Sequence, residues 1–126
     1  IPELLGELKR QGILLAVASN KYHEATVALI PAYFGEGLFD FVFGQREGIP
    51  IKPDPTIVYD IIKAAGVRKE EVLYVGDSGV DMQTAIHAEV TSCGVTWGFR
   101  PRAELETFHP NYIIDKAEEV LEIVFR

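Results

Sequence analysis

The chain has 126 residues, 48% apolar and 25% charged, with a formal net charge of −7; that supports one hydrophobic core, so a single domain over residues 1–126 is expected. The acidic balance argues against nucleic acid or an anionic membrane as partner, and no apolar run approaches the roughly 20 residues of a membrane helix. A small phosphorylated ligand is compatible with that charge, because a bound divalent cation inverts the local field.

In chain order, Pro2 suits a first helical turn, Leu4, Leu5 and Leu8 form an apolar stripe, and Gly12 ends the helix. Residues 13–18 are a continuous apolar run, read as a strand buried on both faces, with Ser19 and Asn20 at its carboxyl end. A second helix is expected from Tyr22 through Ala25, Leu29 and Ile30, with Pro31 unsettling its second half. Residues 39–43 read as a short aromatic strand closed by Gly44. Three prolines keep residues 48–55 out of helix, as an ordered loop. Helical spacing returns over residues 56–65 and stops at Gly66. A buried strand over 72–75 leads straight into Gly76-Asp77-Ser78-Gly79-Val80-Asp81. After it come a helix over 82–88, a strand over 91–96, a short helix over 103–108, a strand over 112–114 and an amphipathic helix over 117–125.

Apolar strands alternating with helices predict a parallel sheet covered on both faces, a Rossmann-like, doubly wound α/β layer. In such sheets ligands gather beyond the carboxyl ends of the strands. The polar residues there are Ser19, Asn20, Asp77 and Asp81, joined by Lys52 from the proline loop. Two carboxylates four residues apart at a strand-to-helix turn suit a hard cation such as Mg²⁺, which keeps several waters. Helix capping by Asp77 and Ser78, with Asp81 as a solvated first-turn acid, explains the same residues. Prolines around Lys52 would aim its ammonium as a point charge for phosphate; a surface loop lysine is the alternative. Ser19 can donate to a phosphoryl oxygen, or simply cap the next helix.

The remaining residues read as bland. His23, His87 and His109 have no metal-ligand spacing. Trp97 and Phe99 read as core-edge packing, and Arg100 and Arg102 as a solvated loop. Glu118, Glu119 and Glu122 form the wet face of the last helix. The single Cys93 reads as a buried small hydrophobe, and one cysteine without an internal partner fits a reducing cytoplasm.

Leu15-Ala16-Val17-Ala18-Ser19-Asn20-Lys21, Lys52-Pro53-Asp54-Pro55 and Val75-Gly76-Asp77-Ser78-Gly79-Val80-Asp81, in that order, resemble the second, third and fourth motifs of the haloacid-dehalogenase superfamily of phosphohydrolases. The resemblance covers essentially the whole chain, and with Val95-Thr96-Trp97-Gly98-Phe99-Arg100 it extends to the phosphoglycolate-phosphatase branch. It implies an incomplete core of that type and a Mg²⁺-dependent phosphoric-monoester hydrolase acting on a small phosphorylated metabolite. By that resemblance Ser19 binds the transferring phosphoryl group, Lys52 neutralises it, and Asn20 lies at the substrate edge. Asp77 holds Mg²⁺, and Asp81 supports the metal through water or hydrogen bonds.

The family's first motif, Asp-x-Asp-Gly with its nucleophile, has no match here, and neither has the helical cap. A fragment opening at Ile1, without turnover of its own, is therefore expected. In the family, the strand carrying that motif lies between those ending at Ser19 and at Asp77. Without it, those two strands should pair directly or the chain should self-associate. The sequence also departs from the family at Glu89, where a glycine usually follows Ala88. A receiver-like phospho-acceptor, a phosphomutase and a catalytically silent relative are the alternatives.

Overall fold

Apolar periodicity sets the order of elements in the computed structural model, which describes residues 2–34, 37–98 and 100–125. The order is α1 (Pro2–Arg10), β1 (Ala16–Tyr22), α2 (His23–Phe34), β2 (Phe41–Gln45), α3 (Thr56–Ala65), a 3₁₀ turn (Lys69–Glu71), β3 (Leu73–Gly76), α4 (Gly79–Ala88), β4 (Thr91–Val95), α5 (Arg102–Glu106), β5 (Tyr112–Ile114) and α6 (Glu119–Val124). Parallel strands alternate with helices throughout, a mixed α/β arrangement of the Rossmann-like kind. The described chain gathers into two compact units. Unit 1 comprises residues 1–51 and 56–66; unit 2 comprises residues 52–55 and 67–126.

In unit 1, β1 and β2 form a two-stranded parallel sheet. Its core gathers Leu8, Leu15, Ile57 and Val58. The first strand begins three residues later than its apolar run suggests. The Asp40 carboxylate accepts the Leu15 N–H at 2.8 Å, and the Leu15 carbonyl accepts the Asp40 N–H at 2.7 Å. Residues 13–15 thus enter through a side-chain clasp, and the ladder opens at Ala16↔Phe41.

Unit 2 carries a three-stranded sheet in the order β3-β4-β5. Met82, Ala85, Ala88, Cys93 and Leu105 have no solvent exposure, and Val95, Ile114 and Val120 complete the core. Cys93 is buried as its sequence suggests, and burial, with the Glu119 charge, pushes its thiol up to about 11.

Two sequence expectations need correction. The strands do not form one sheet among the described residues, and β1 does not pair with β3. Nor are the apolar runs buried on both faces. In β1 Ala16 and residues 20–22 are exposed, and in β3 Val75 is 45% exposed. The reason is position in the sheet: β1 and β3 each have one neighbour, whereas β4 has two and is buried from Ser92 to Val95. An edge strand needs apolar residues on one face only.

Candidate functional site

In unit 2, the carboxyl end of β3 runs into α4 through Asp77 and Ser78. Alternation along β3 puts Tyr74 and Gly76 on one face. Gly76 leaves room there for Asp81; a Cβ at this position would lie 2.5 Å from the Asp81 Cγ. Ser78 caps α4 as expected, its hydroxyl accepting the Asp81 N–H at 3.3 Å.

Asp81 is the hub rather than a solvated first-turn acid. Its Oδ1 accepts from the Lys52 ammonium at 2.8 Å and the Tyr74 hydroxyl at 3.3 Å. Its Oδ2 accepts the Asp77 N–H and the Ser78 hydroxyl, each at 3.1 Å. The Lys52 and Asp81 side chains are 12% and 13% exposed, so Lys52 is not a surface loop lysine. Burial alone would raise the Asp81 carboxyl. Lys52, the Asp77 amide and the Ser78 hydroxyl overcome it and hold the carboxyl below its ordinary value. Burial, then the Asp81 charge, pushes the Tyr74 phenol upward, so its proton stays on.

The loop that carries Lys52 is fixed from the other side by His87, whose Nδ1 lies 2.9 Å from the Pro53 carbonyl oxygen. Asp77 has a different role. Its carboxylate makes no hydrogen bond among the described residues, and it lies over the backbone of Gly98, where a Cβ would come within 2.4 Å of Oδ2. Glu104 adds a third carboxylate, accepting the Gly79 N–H at 2.7 Å. Asp81 is paired with Lys52, while the Asp77 carboxylate has no such pair among the described residues; that spare negative charge favours a cation, and a phosphate only when a cation accompanies it.

Mg²⁺ fits this donor set. One hard carboxylate with several retained waters is its usual protein share, and Asp77 offers that oxygen. Both Asp81 oxygens already serve four donors, which suits support rather than direct ligation. Among the described residues no group of three or more His, Cys, Asp or Glu side chains is placed to hold a metal ion.

Ser19 and Asn20 belong to unit 1. Register there is Ala18↔Phe43 and then Tyr22↔Gln45, so residues 19–21 bulge out of the ladder. The Lys21 N–H donates to the Ser19 hydroxyl at 3.1 Å, a local turn and not the helix cap considered above. The Thr26 hydroxyl donates to the Tyr22 carbonyl at 3.1 Å. Gly44 faces the bulge, and a Cβ on it would lie 2.7 Å from the Lys21 carbonyl oxygen and from the His23 Cα. Bulges at strand ends re-aim side chains. Here the bulge presents Ser19 half-buried and Asn20 exposed.

Beside the bulge, Tyr22, His23, Glu24, Gln45, Arg46 and Glu47 line a cleft of about 480 Å³. His23 is not bland, since its Nδ1 accepts the Gly44 N–H at 3.1 Å. Arg46 lies 4.8 Å over the Phe43 ring and pairs with Asp60 at 2.8 Å. Charges of both signs line this cleft.

Tyr74 and Glu104 were not singled out by the sequence. A polar hydroxyl two residues before Gly76 on the same strand face was the available sign for Tyr74. Glu104 had none, because its contact crosses between elements, and Gly98 was read only as part of the stretch over residues 95–100. Glu119 also exceeds its expected role, accepting the Asp115 and Lys116 N–H groups at 2.8 and 2.9 Å. Arg100 pairs with Glu104, and Arg102, which opens α5 and does not lie in the expected loop, pairs with Glu106 and Asp115. Trp97 is 43% exposed, and Phe99 lies outside the described residues.

Residues 1–95 match the family model of haloacid dehalogenase-like hydrolases. The chain is 32% identical over 127 residues to a phosphoglycolate phosphatase of Pectobacterium atrosepticum, covering 98% of this chain and 53% of that protein. It is 27% identical over 124 residues to the pyrophosphatase PpaX of Bacillus mycoides, covering 98% and 58%. A solved structure from Lactobacillus delbrueckii subsp. bulgaricus superposes with a TM-score of 0.93 at 38% identity, covering 98% of this chain and 52% of that one. The chain belongs to the haloacid dehalogenase-like hydrolase family. It spans about half the length of the curated relatives it matches. This membership sets the receiver-like alternative aside.

Proposed function

We propose that this chain carries the phosphate and Mg²⁺ groups of a phosphoric-monoester hydrolase of the phosphoglycolate-phosphatase kind, acting on a small phosphorylated metabolite. The observation that carries the reading is the buried Lys52–Asp81 pair beside the unpartnered Asp77 carboxylate. Asp77 holds Mg²⁺, and Asp81 supports the metal's surroundings while fixing Lys52. Mg²⁺, when bound, supplies positive charge against the phosphoryl oxygens. Lys52 adds a second positive charge, Ser19 donates its hydroxyl to the phosphoryl group, and Asn20 contacts the substrate at its edge. Phosphoryl transfer asks a protein mainly for this positioning and charge stabilisation.

Residues 1–126 work as one core domain in a reducing cytoplasm. Alone the chain has no turnover, because no Asp-x-Asp pair ends a strand in it. It self-associates through the one-sided edges of β1 and β3; light scattering tests this, with species larger than a monomer as the expected outcome.

The test is phosphate release from a panel of small monoesters, with Mg²⁺, by the gene product that carries this chain. Release that disappears on chelation and in Asp77→Asn is expected. Release unchanged in Asp77→Asn sinks the reading, and no release from any ester favours the silent relative. Transfer to a second sugar carbon, without release, identifies a phosphomutase.

A further inference from the structure

The Tyr74 phenol has no part in the groups assigned above, yet it is buried and its single proton goes to the oxygen that Lys52 holds. It stands on the face of β3 where Gly76 admits Asp81. Thr84 beside it donates its own proton to the Val80 carbonyl at 2.7 Å. The Asp81 carboxylate therefore has all four of its lone-pair directions filled, by Lys52, Tyr74, the Asp77 amide and the Ser78 hydroxyl.

We infer that Tyr74 is a positioning residue for Lys52: by sharing Oδ1 of Asp81, it keeps the ammonium oriented without tying it fully to the carboxylate. This rests on the reading of Lys52 as a phosphate-binding group. Oxygen charge divided between two donors holds each less tightly than charge spent on one. Without the phenol, Oδ1 turns more of its charge on Lys52. The ammonium then has less to offer an incoming phosphate. A tyrosine that merely fills the core would leave phosphate binding untouched when replaced by phenylalanine, which keeps the ring.

Inorganic phosphate, with Mg²⁺ present, is titrated into this chain. Binding is followed by fluorescence of Trp97, the single tryptophan, next to Gly98 and hence near Asp77. Tyr74→Phe should weaken binding about threefold to tenfold, the scale of the net contribution of one ordinary hydrogen bond. In a Lys52→Met background the same change should have no effect. Thr84→Ser, which keeps the hydroxyl beside the phenol and alters only packing, should bind as the parent does. An equal loss in the Lys52→Met background, an equal loss in Thr84→Ser, or no loss in Tyr74→Phe overturns the inference. Absence of phosphate binding by the parent chain instead overturns the reading of Lys52, and this inference with it.

Discussion

The two units solve the same problem, holding polar groups at the carboxyl end of a parallel strand, by different means. In unit 2 the strand end is organised around one buried carboxylate, with Lys52, Tyr74, Ser78 and the Asp77 amide all converging on Asp81. In unit 1 it is a bulge of residues 19–21, held by a local turn at Ser19 and by the absence of a side chain at Gly44. Charge organises one and shape the other. The difference teaches where each is vulnerable: the first to loss of a partner, the second to a single added methyl group.

The largest expected effect separates the ion pairs of the two units. Asp81→Ala strands a buried ammonium and should cost about 3–5 kcal/mol. Lys9→Ala, which removes the partly exposed partner of Asp40 (39% and 25% exposed), should cost at most about 1 kcal/mol. Urea denaturation of both variants measures the contrast, and equal losses would break it.

Next comes shape. Gly44→Ala forces a Cβ against the backbone of the bulge and should cost about 1–3 kcal/mol. Its spectral changes should concentrate at residues 19–26, checked by amide NMR shifts.

Acid sharpens the comparison further. Burial opposes ionisation of Asp81, but Lys52 and its other donors prevail; the Leu15 amide and Lys9 act similarly on Asp40 against its lesser burial. Both carboxyls therefore titrate lower folded than unfolded. Their stabilisation is present above the unfolded value of about 3.9 and is lost as pH falls through the lower folded values. The stability gap between parent and Asp81→Asn should shrink on acidification below about pH 5, with Asp40→Asn following the same sign and a smaller amplitude. A gap that widens in acid would contradict the assigned hydrogen bonds.

The smallest effect is at the end of α4. Glu89 has φ 61° and ψ 39°, the left-handed region that favours glycine. Glu89→Gly relieves that conformation and gives up only an exposed pair with Lys69. A gain of about 0.5–1 kcal/mol is expected in thermal melts.

How much was legible follows from the range of each interaction. The helix over residues 56–65 and the strand over 112–114 were readable to the residue, because local spacing and the stop at Gly66 specify them. The family, too, was readable, since Ser19, Lys52, Asp77 and Asp81 recur at fixed places relative to strand ends. The start of β1 was not readable, because it depends on the Asp40 side chain 25 residues further along the chain. Nor was edge exposure, which depends on how many neighbours a strand finds.

By itself the sequence determined the family and which segments are helix or strand, through motif order, residue type and short-range period. Tertiary structure alone decided what those residues do to one another. It spent both oxygens of Asp81 on hydrogen bonds, left the Asp77 carboxylate without one among the described residues, and brought Tyr74 to the Lys52 pair. Such assignments turn on distances of about 3 Å between residues far apart in the chain, the range over which hydrogen bonds act.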